Sequence, residues 1–217
     1  MKRLLLLTLL LSLAPSAARA AFVQGQVNNA NAASVTCTEP GNVTLGNMEI
    51  VAAKANGGGN FTTVTSTRAT WVPLTVVSNL GLWIGTVTST GAETITVNLP
   101  ASNLVAVGCL EYSLHTTNDT STVGGPASTT VNITTTQPNS TLVCVASGGL
   151  SIAFSGGAGF TLRETAILLT GPNGHLIFGD VDEASTGTFT CNTANGGSGV
   201  TVADFYAAAA SIVRRHR

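Results

Sequence analysis

The apolar residues of this 217-residue chain come in short packets. From Ala21 onward Val, Ile and Leu are interleaved with Thr, Ser and Asn. Clusters of Gly, Pro, Asn or Ser break the run at a spacing of roughly eight to twelve residues. No apolar period of 3.6 persists for three turns, so helices cannot carry the fold. Short, punctuated, β-rich segments instead predict an all-β chain, a two-sheet antiparallel β-sandwich.

The clearest strand is Leu104–Ser113, an apolar run bounded by Pro100-Ala-Ser-Asn103 and a polar Thr/Asn/Asp stretch. Further strands are expected at 22–27, 34–38, 43–54, 61–67, 70–77, 80–88, 93–99, 129–136, 142–146, 150–154, 160–169 and 176–178. Asn28–Ala33 and the long polar segment Leu114–Ser128 read as linker and surface loop. Glu39-Pro-Gly-Asn42, Ala55–Asn60 and Gly171-Pro-Asn-Gly174 read as breaks. Residues 202–213 are ambiguous: four alanines favour a helix, while closure of the sheets favours a strand, which is the reading preferred here.

Export is written at the front. Lys2 and Arg3 precede an apolar run from Leu4 to Leu13, and Ala18-Arg19-Ala20 presents a small-x-small cleavage site before Ala21. Residues 1–20 are therefore expected to be a signal peptide, 21–213 one β-sandwich domain and 214–217 a basic tail. No later run is long enough for a transmembrane segment. The expected location is secreted, extracellular or periplasmic.

Cleavage would remove Lys2, Arg3 and Arg19, leaving six basic residues against ten acids, a net charge of −4. Three of the six are Arg214, Arg215 and Arg217, so the body holds only Lys54, Arg68 and Arg163, a poor complement to phosphate backbones. Nucleic acid is accordingly not an expected partner. Four cysteines, Cys37, Cys109, Cys144 and Cys191, with no Cys-x-x-Cys, favour two disulfides over a metal centre. Three pairings remain open; the preferred one is Cys109 with Cys144, which both lie in apolar strands, and hence Cys37 with Cys191.

Few residues offer chemistry. Gly-x-Ser-x-Gly is absent, and His115, His175 and His216 have no triad context. Glu111 and Glu164 are the only paired carboxylates placed on clear strands, as glycoside hydrolysis would need. Glu111, an acid closing an apolar strand, reads more simply as a structural charge paired with Arg163 or a backbone amide. Asp180, Asp182 and Glu183, in an expected turn, are weak calcium candidates without the ordered spacing of a calcium loop. Trp71 and Tyr112 are candidates for stacking on a glycan; Trp83 is expected to fill the core. The five Asn-x-Ser/Thr sites follow from composition and are read as unglycosylated. No cofactor is expected.

Pro40-Gly-Asn-Val-Thr44, the Val105–Ser113 run ending Glu-Tyr-Ser, and Gly159-Phe-Thr-Leu-Arg163 together resemble a loosely defined group of secreted, Thr/Gly/Ser-rich bacterial proteins with a jelly-roll-like β-sandwich. The resemblance spans most of residues 22–213 and implies an alanine-rich last strand. Leu114 stands where that group has Gly, and the Asp-x-x-Gly turn is missing near Arg68–Trp71. The group implies a fold and no activity. The expected function is a non-catalytic extracellular structural, adhesive or surface-interaction protein, with self-association through edge strands as a candidate mode. The alternatives are a carbohydrate-binding module and a secreted glycoside-acting hydrolase.

Overall fold

The structure, a computed structural model, describes residues 20–56, 60–77, 79–113, 116–123, 128–148, 152–155, 159–167, 174–194 and 197–207. Most of the expected signal peptide, the 208–213 part of the alanine-rich segment, the basic tail, His115 and His216 lie outside them. Among the described residues there is no helix. These residues form fourteen strands: β1 Phe22–Val43, β2 Met48–Ala55, β3 Thr63–Thr65, β4 Ala69–Val77, β5 Leu80–Val87, β6 Gly91–Tyr112, β7 Thr116–Val123, β8 Thr130–Thr135, β9 Ser140–Gly148, β10 Ala153–Phe154, β11 Thr161–Ile167, β12 His175–Glu183, β13 Gly187–Ala194 and β14 Gly197–Ala207.

The expected antiparallel β-sandwich is present, with its strands divided among three sheets. One runs β1-β6-β2-β5-β4 with β3 added on β6, a second β11-β12-β9-β14-β7, and the third β10-β13-β8. The two longest strands bend within the first sheet. Residues 22–32 of β1 pair with 103–112 of β6, whereas 34–43 pair with 91–98, with register shifts at Ala32/Ser34 and Thr38/Asn42. The first sheet thus folds over itself, its outer part (34–43, 91–98 and β3) covering its inner part (22–32, 103–112, β2, β5 and β4).

Three apolar cores follow from strand alternation. On β6 the even residues Ala106, Leu110 and Tyr112 meet Val143, Val145, Leu176 and Phe178 of the second sheet. The odd residues Val105, Val107 and Cys109 face Val35, Cys37, Ile95 and Val97 of the outer part. On β9 the even residues Leu142, Cys144 and Ala146 face Val131, Ile133 and Cys191 of the third sheet. The molecule is therefore two sandwiches back to back. Strands β2 and β9 and the second half of β6 are covered on both faces, which is why their centres, Ile50–Ala53, Leu142–Ala146 and Leu104–Leu110, read as continuous rather than alternating runs. Gly108 makes the central packing close: a Cβ there would run into the Phe178 ring.

Each sandwich carries one disulfide between its two layers, Cys37–Cys109 and Cys144–Cys191. This corrects the expected Cys109–Cys144 pairing. Both cysteines do sit in apolar strands, but Cys109 points into the first sandwich and Cys144 into the second. Two disulfides suggest an oxidising, extracellular-type environment. Three further expectations change. Asn28–Ala33 and Glu39–Asn42 are part of β1, its irregularities absorbing the turn residues. The polar 114–128 stretch contains β7, paired with β14. Asp180–Glu183 closes β12 instead of forming a turn. Residues 202–207 are strand, in β14.

Candidate functional site

Three places gather the chemistry of the described residues. The first is a recess of about 310 Å³ lined by Ala20, Phe22, Thr161, Arg163, Asp180 and Asp182. Asp180 is 4% exposed, and Arg163 reaches it from the neighbouring strand with Nε at 2.8 and 2.9 Å from the two carboxylate oxygens. A second guanidinium nitrogen lies 2.8 Å from Oδ1, completing a forked ion pair. The buried Tyr112 hydroxyl donates to Asp180 Oδ2 at 3.0 Å. Its pKa is pushed well above the ordinary value, by burial first and then by the Asp180 charge. The Arg163 guanidinium also lies 5.0 Å from the centre of the Phe22 ring.

The expected Glu111–Arg163 pair is therefore not formed: Arg163 belongs to Asp180. Parity along the strand explains it, because Tyr112 and Leu110 face the second sheet and Glu111 between them is turned into the first sandwich. The same recess removes two other expectations. Tyr112 is 0% exposed and cannot stack on a glycan. Asp180 is taken by Arg163 and Tyr112, Asp182 accepts from the Thr141 hydroxyl at 2.7 Å, and Glu183 follows on the opposite face of β12. Among the described residues no group of three or more acidic, His or Cys side chains is disposed to hold a metal.

The second place is an aromatic groove of about 320 Å³ between the margins of the two layers of the first sandwich. Phe61, Thr62, Thr63 and Val64 line one side, and Trp71, Pro73, Val76 and Trp83 the other. Trp83 is buried, edge-on to Phe61 with ring centres 5.6 Å apart. Trp71 is half-buried; its ring lies over Gly85, where a Cβ would collide with it, and its indole N–H donates to Ser66 Oγ at 3.0 Å. Asn98 engages both threonine hydroxyls: Thr62 donates to its carbonyl at 3.1 Å, and its amide donates to Thr63 at 3.1 Å. The wall is thus mainly apolar.

The third place was not visible as a site in the sequence. Continuing the odd-numbered face of the first sandwich beyond its disulfide brings Glu39 and Glu93 from the outer layer over Glu49 and Glu111 from the inner one. All four are at most 4% exposed. Glu111 is satisfied, accepting from Gln24 Nε2 and Asn47 Nδ2, each at 2.6 Å, and from the Thr44 backbone N–H at 2.9 Å. Glu39 and Glu49 have no hydrogen-bond partner on either oxygen among the described residues. Each has its pKa pushed up to about 8, by burial first and then by neighbouring carboxylates. Glu164, the other half of the expected carboxylate pair, is half-buried on β11, with burial raising its pKa. Neither recess includes Glu111 or Glu164.

Comparisons with known protein families, with curated proteins and with solved structures return no match.

Proposed function

We propose that the protein is exported, non-catalytic, and acts by surface contact as a structural or adhesive component, and that its contact face is the margin of the first sandwich formed by β4 and the aromatic groove. The occupant is a second copy of the chain. One observation carries this reading: β4 ends its sheet, bears no charged residue from Ala69 to Val77, and exposes Val72 (58%) and Val76 (42%) beside Pro73. An uncharged apolar edge offers unpaired backbone groups to another strand, and charged side chains are the usual guard against such pairing. Pro73 and the register shift between Pro73 and Thr75 interrupt the edge, limiting the pairing to short stretches on either side.

Sedimentation velocity of the oxidised chain lacking residues 1–20 tests it. Association that grows with concentration and is abolished by Val72→Lys/Val76→Lys is expected; a strictly monomeric wild type at all concentrations sinks the reading. The two tryptophans lining the groove favour a second reading, a carbohydrate-binding module. Its test is a glycan array, with binding that disappears in Trp71→Ala. The engaged hydroxyls of Thr62 and Thr63 leave that reading few polar contacts to offer a sugar. A glycoside-acting hydrolase has less support still, because Glu111 is bound by three donors and lies in neither recess.

A further inference from the structure

Four buried carboxyl groups meet between two layers; Glu111 has its donors, but Glu39 and Glu49 require something to make up for the water they have lost. Among the described residues basic side chains do not supply it, Lys54 being an even-numbered residue of β2 and so on the face opposite Glu49. Arg163 is committed to Asp180, and Arg68 gives its guanidinium to the Ala92 carbonyl and the Ser89 hydroxyl. The charged groups acting on Glu39 are Glu111, Glu164 of β11 and Glu93; those acting on Glu49 are Glu93, Glu39 and Glu111. Every one is a carboxylate. The missing donors can be supplied by the carboxyls themselves, since a protonated acid offers an O–H to a neighbouring carboxylate oxygen while an ionised one only accepts.

The cluster is also placed to be felt elsewhere. Register pairs align Gln24, Glu111, Glu49, Gly85 and Trp71 in one row across β1, β6, β2, β5 and β4. Trp71 lies over Gly85, the residue next to Glu49 in that row. At the outer layer, Thr67 Oγ1 lies 3.5 Å from Glu93 Oε2, at the foot of the segment that leads into β4.

We propose that Glu39 and Glu49, buried against Glu93 and Glu111, form a proton-held latch between the two layers of the first sandwich, closed while these two acids retain their protons and loosened when they ionise, with Trp71 at the end of the Glu49 row reporting the change. The direction follows from linkage. Carboxyls whose folded pKa lies near 8, against 4.5 in the open chain, contribute stability fully below about pH 4.5. That contribution declines as pH rises and is gone above about 8. The Cys37–Cys109 disulfide keeps the layers tethered when the latch loosens, so the change is local.

The experiment follows the oxidised chain from pH 5 to 8 in a Trp83→Phe background, where Trp71 is the only one of the two tryptophans left. Expected are a melting temperature lower at pH 8 than at pH 5 by on the order of 5 °C and a parallel shift in Trp71 emission, both flattened by Glu39→Gln/Glu49→Gln. The same pH dependence persisting in that variant, or a flat wild type, overturns the latch. So does calcium chloride raising the wild-type melting temperature at pH 8 to its pH 5 value, which would make the cluster a cation site. A measurement needing no variant is the ¹³C titration of the glutamate carboxyls in the unmodified chain. Two resonances with midpoints above pH 7 support the latch, and midpoints all near 4 to 5 overturn it.

Discussion

Two buried acidic sites lie on opposite faces of the same inner layer, and they are built on opposite principles. Asp180 is surrounded by donors: Arg163 in a forked pair and the Tyr112 hydroxyl. Across the layer Glu39 and Glu49 face other carboxyls and find no donor among the described residues. Strand alternation alone decides which residue joins which site, because Glu111 and Tyr112 are adjacent in sequence and point to opposite faces. A buried charge with its partners ties elements together; buried acids without partners make the fold sensitive to its medium.

Substitution can break this contrast, beginning with the site where more is lost. Asp180→Ala leaves the Tyr112 hydroxyl buried without an acceptor and Arg163 without its carboxylate. Because the Arg163 side chain is 33% exposed, water recovers part of that loss. A destabilisation of about 2–3 kcal/mol in urea unfolding is expected at pH 7. Glu111→Ala strands the Thr44 amide and the side chains of Asn47 and Gln24, at about 2 kcal/mol. Glu49→Gln has the opposite sign. It should stabilise by on the order of 2 kcal/mol at pH 7.5 and by almost nothing at pH 4, since the native acid retains a proton that the unfolded chain has lost. Equal effects at both pH values would remove Glu49 from the contrast.

Lys54 sharpens the comparison from the side of a base. It is 2% exposed, its ammonium nitrogen has no hydrogen-bond partner among the described residues, and burial lowers its pKa to about 8. The penalty for burying that cation is complete below about pH 8 and relieved as pH climbs towards 10.5. Lys54→Met should therefore stabilise by about 1 kcal/mol at pH 6, the smallest of these effects, with the gain fading above pH 8. A constant gain across that range would show that packing, and not charge, is responsible.

The strands were legible in the sequence where turn chemistry and apolar runs agreed. Leu104–Ser113 is the example, and its lack of alternation recorded a strand covered on both faces. Legibility failed where one residue type serves two structures. Asn28–Ala33 and Glu39-Pro-Gly-Asn42 carry turn residues, yet β1 passes through both with shifts in register. The segment Thr116–Val123 has no apolar alternation, so periodicity could not distinguish a polar strand from a loop. Which cysteine meets which, and which acid meets Arg163, depended on the stacking of layers. That information lies in contacts between residues tens of positions apart, and no local pattern contains it.

The long pairing of β1 with β6 also sets an order of events. Its matched residues run from Phe22 with Tyr112 to Val43 with Gly91, so β1 has nothing to pair with until the whole of β2 to β5 has been made. Contacts so distant along the chain make for slow folding. A chain delivered N-terminus first at roughly 5–20 residues per second would hold β1 unpaired for several seconds. During that interval Cys37 is a thiol without its partner, and the first sandwich can be sealed only after Cys109 arrives.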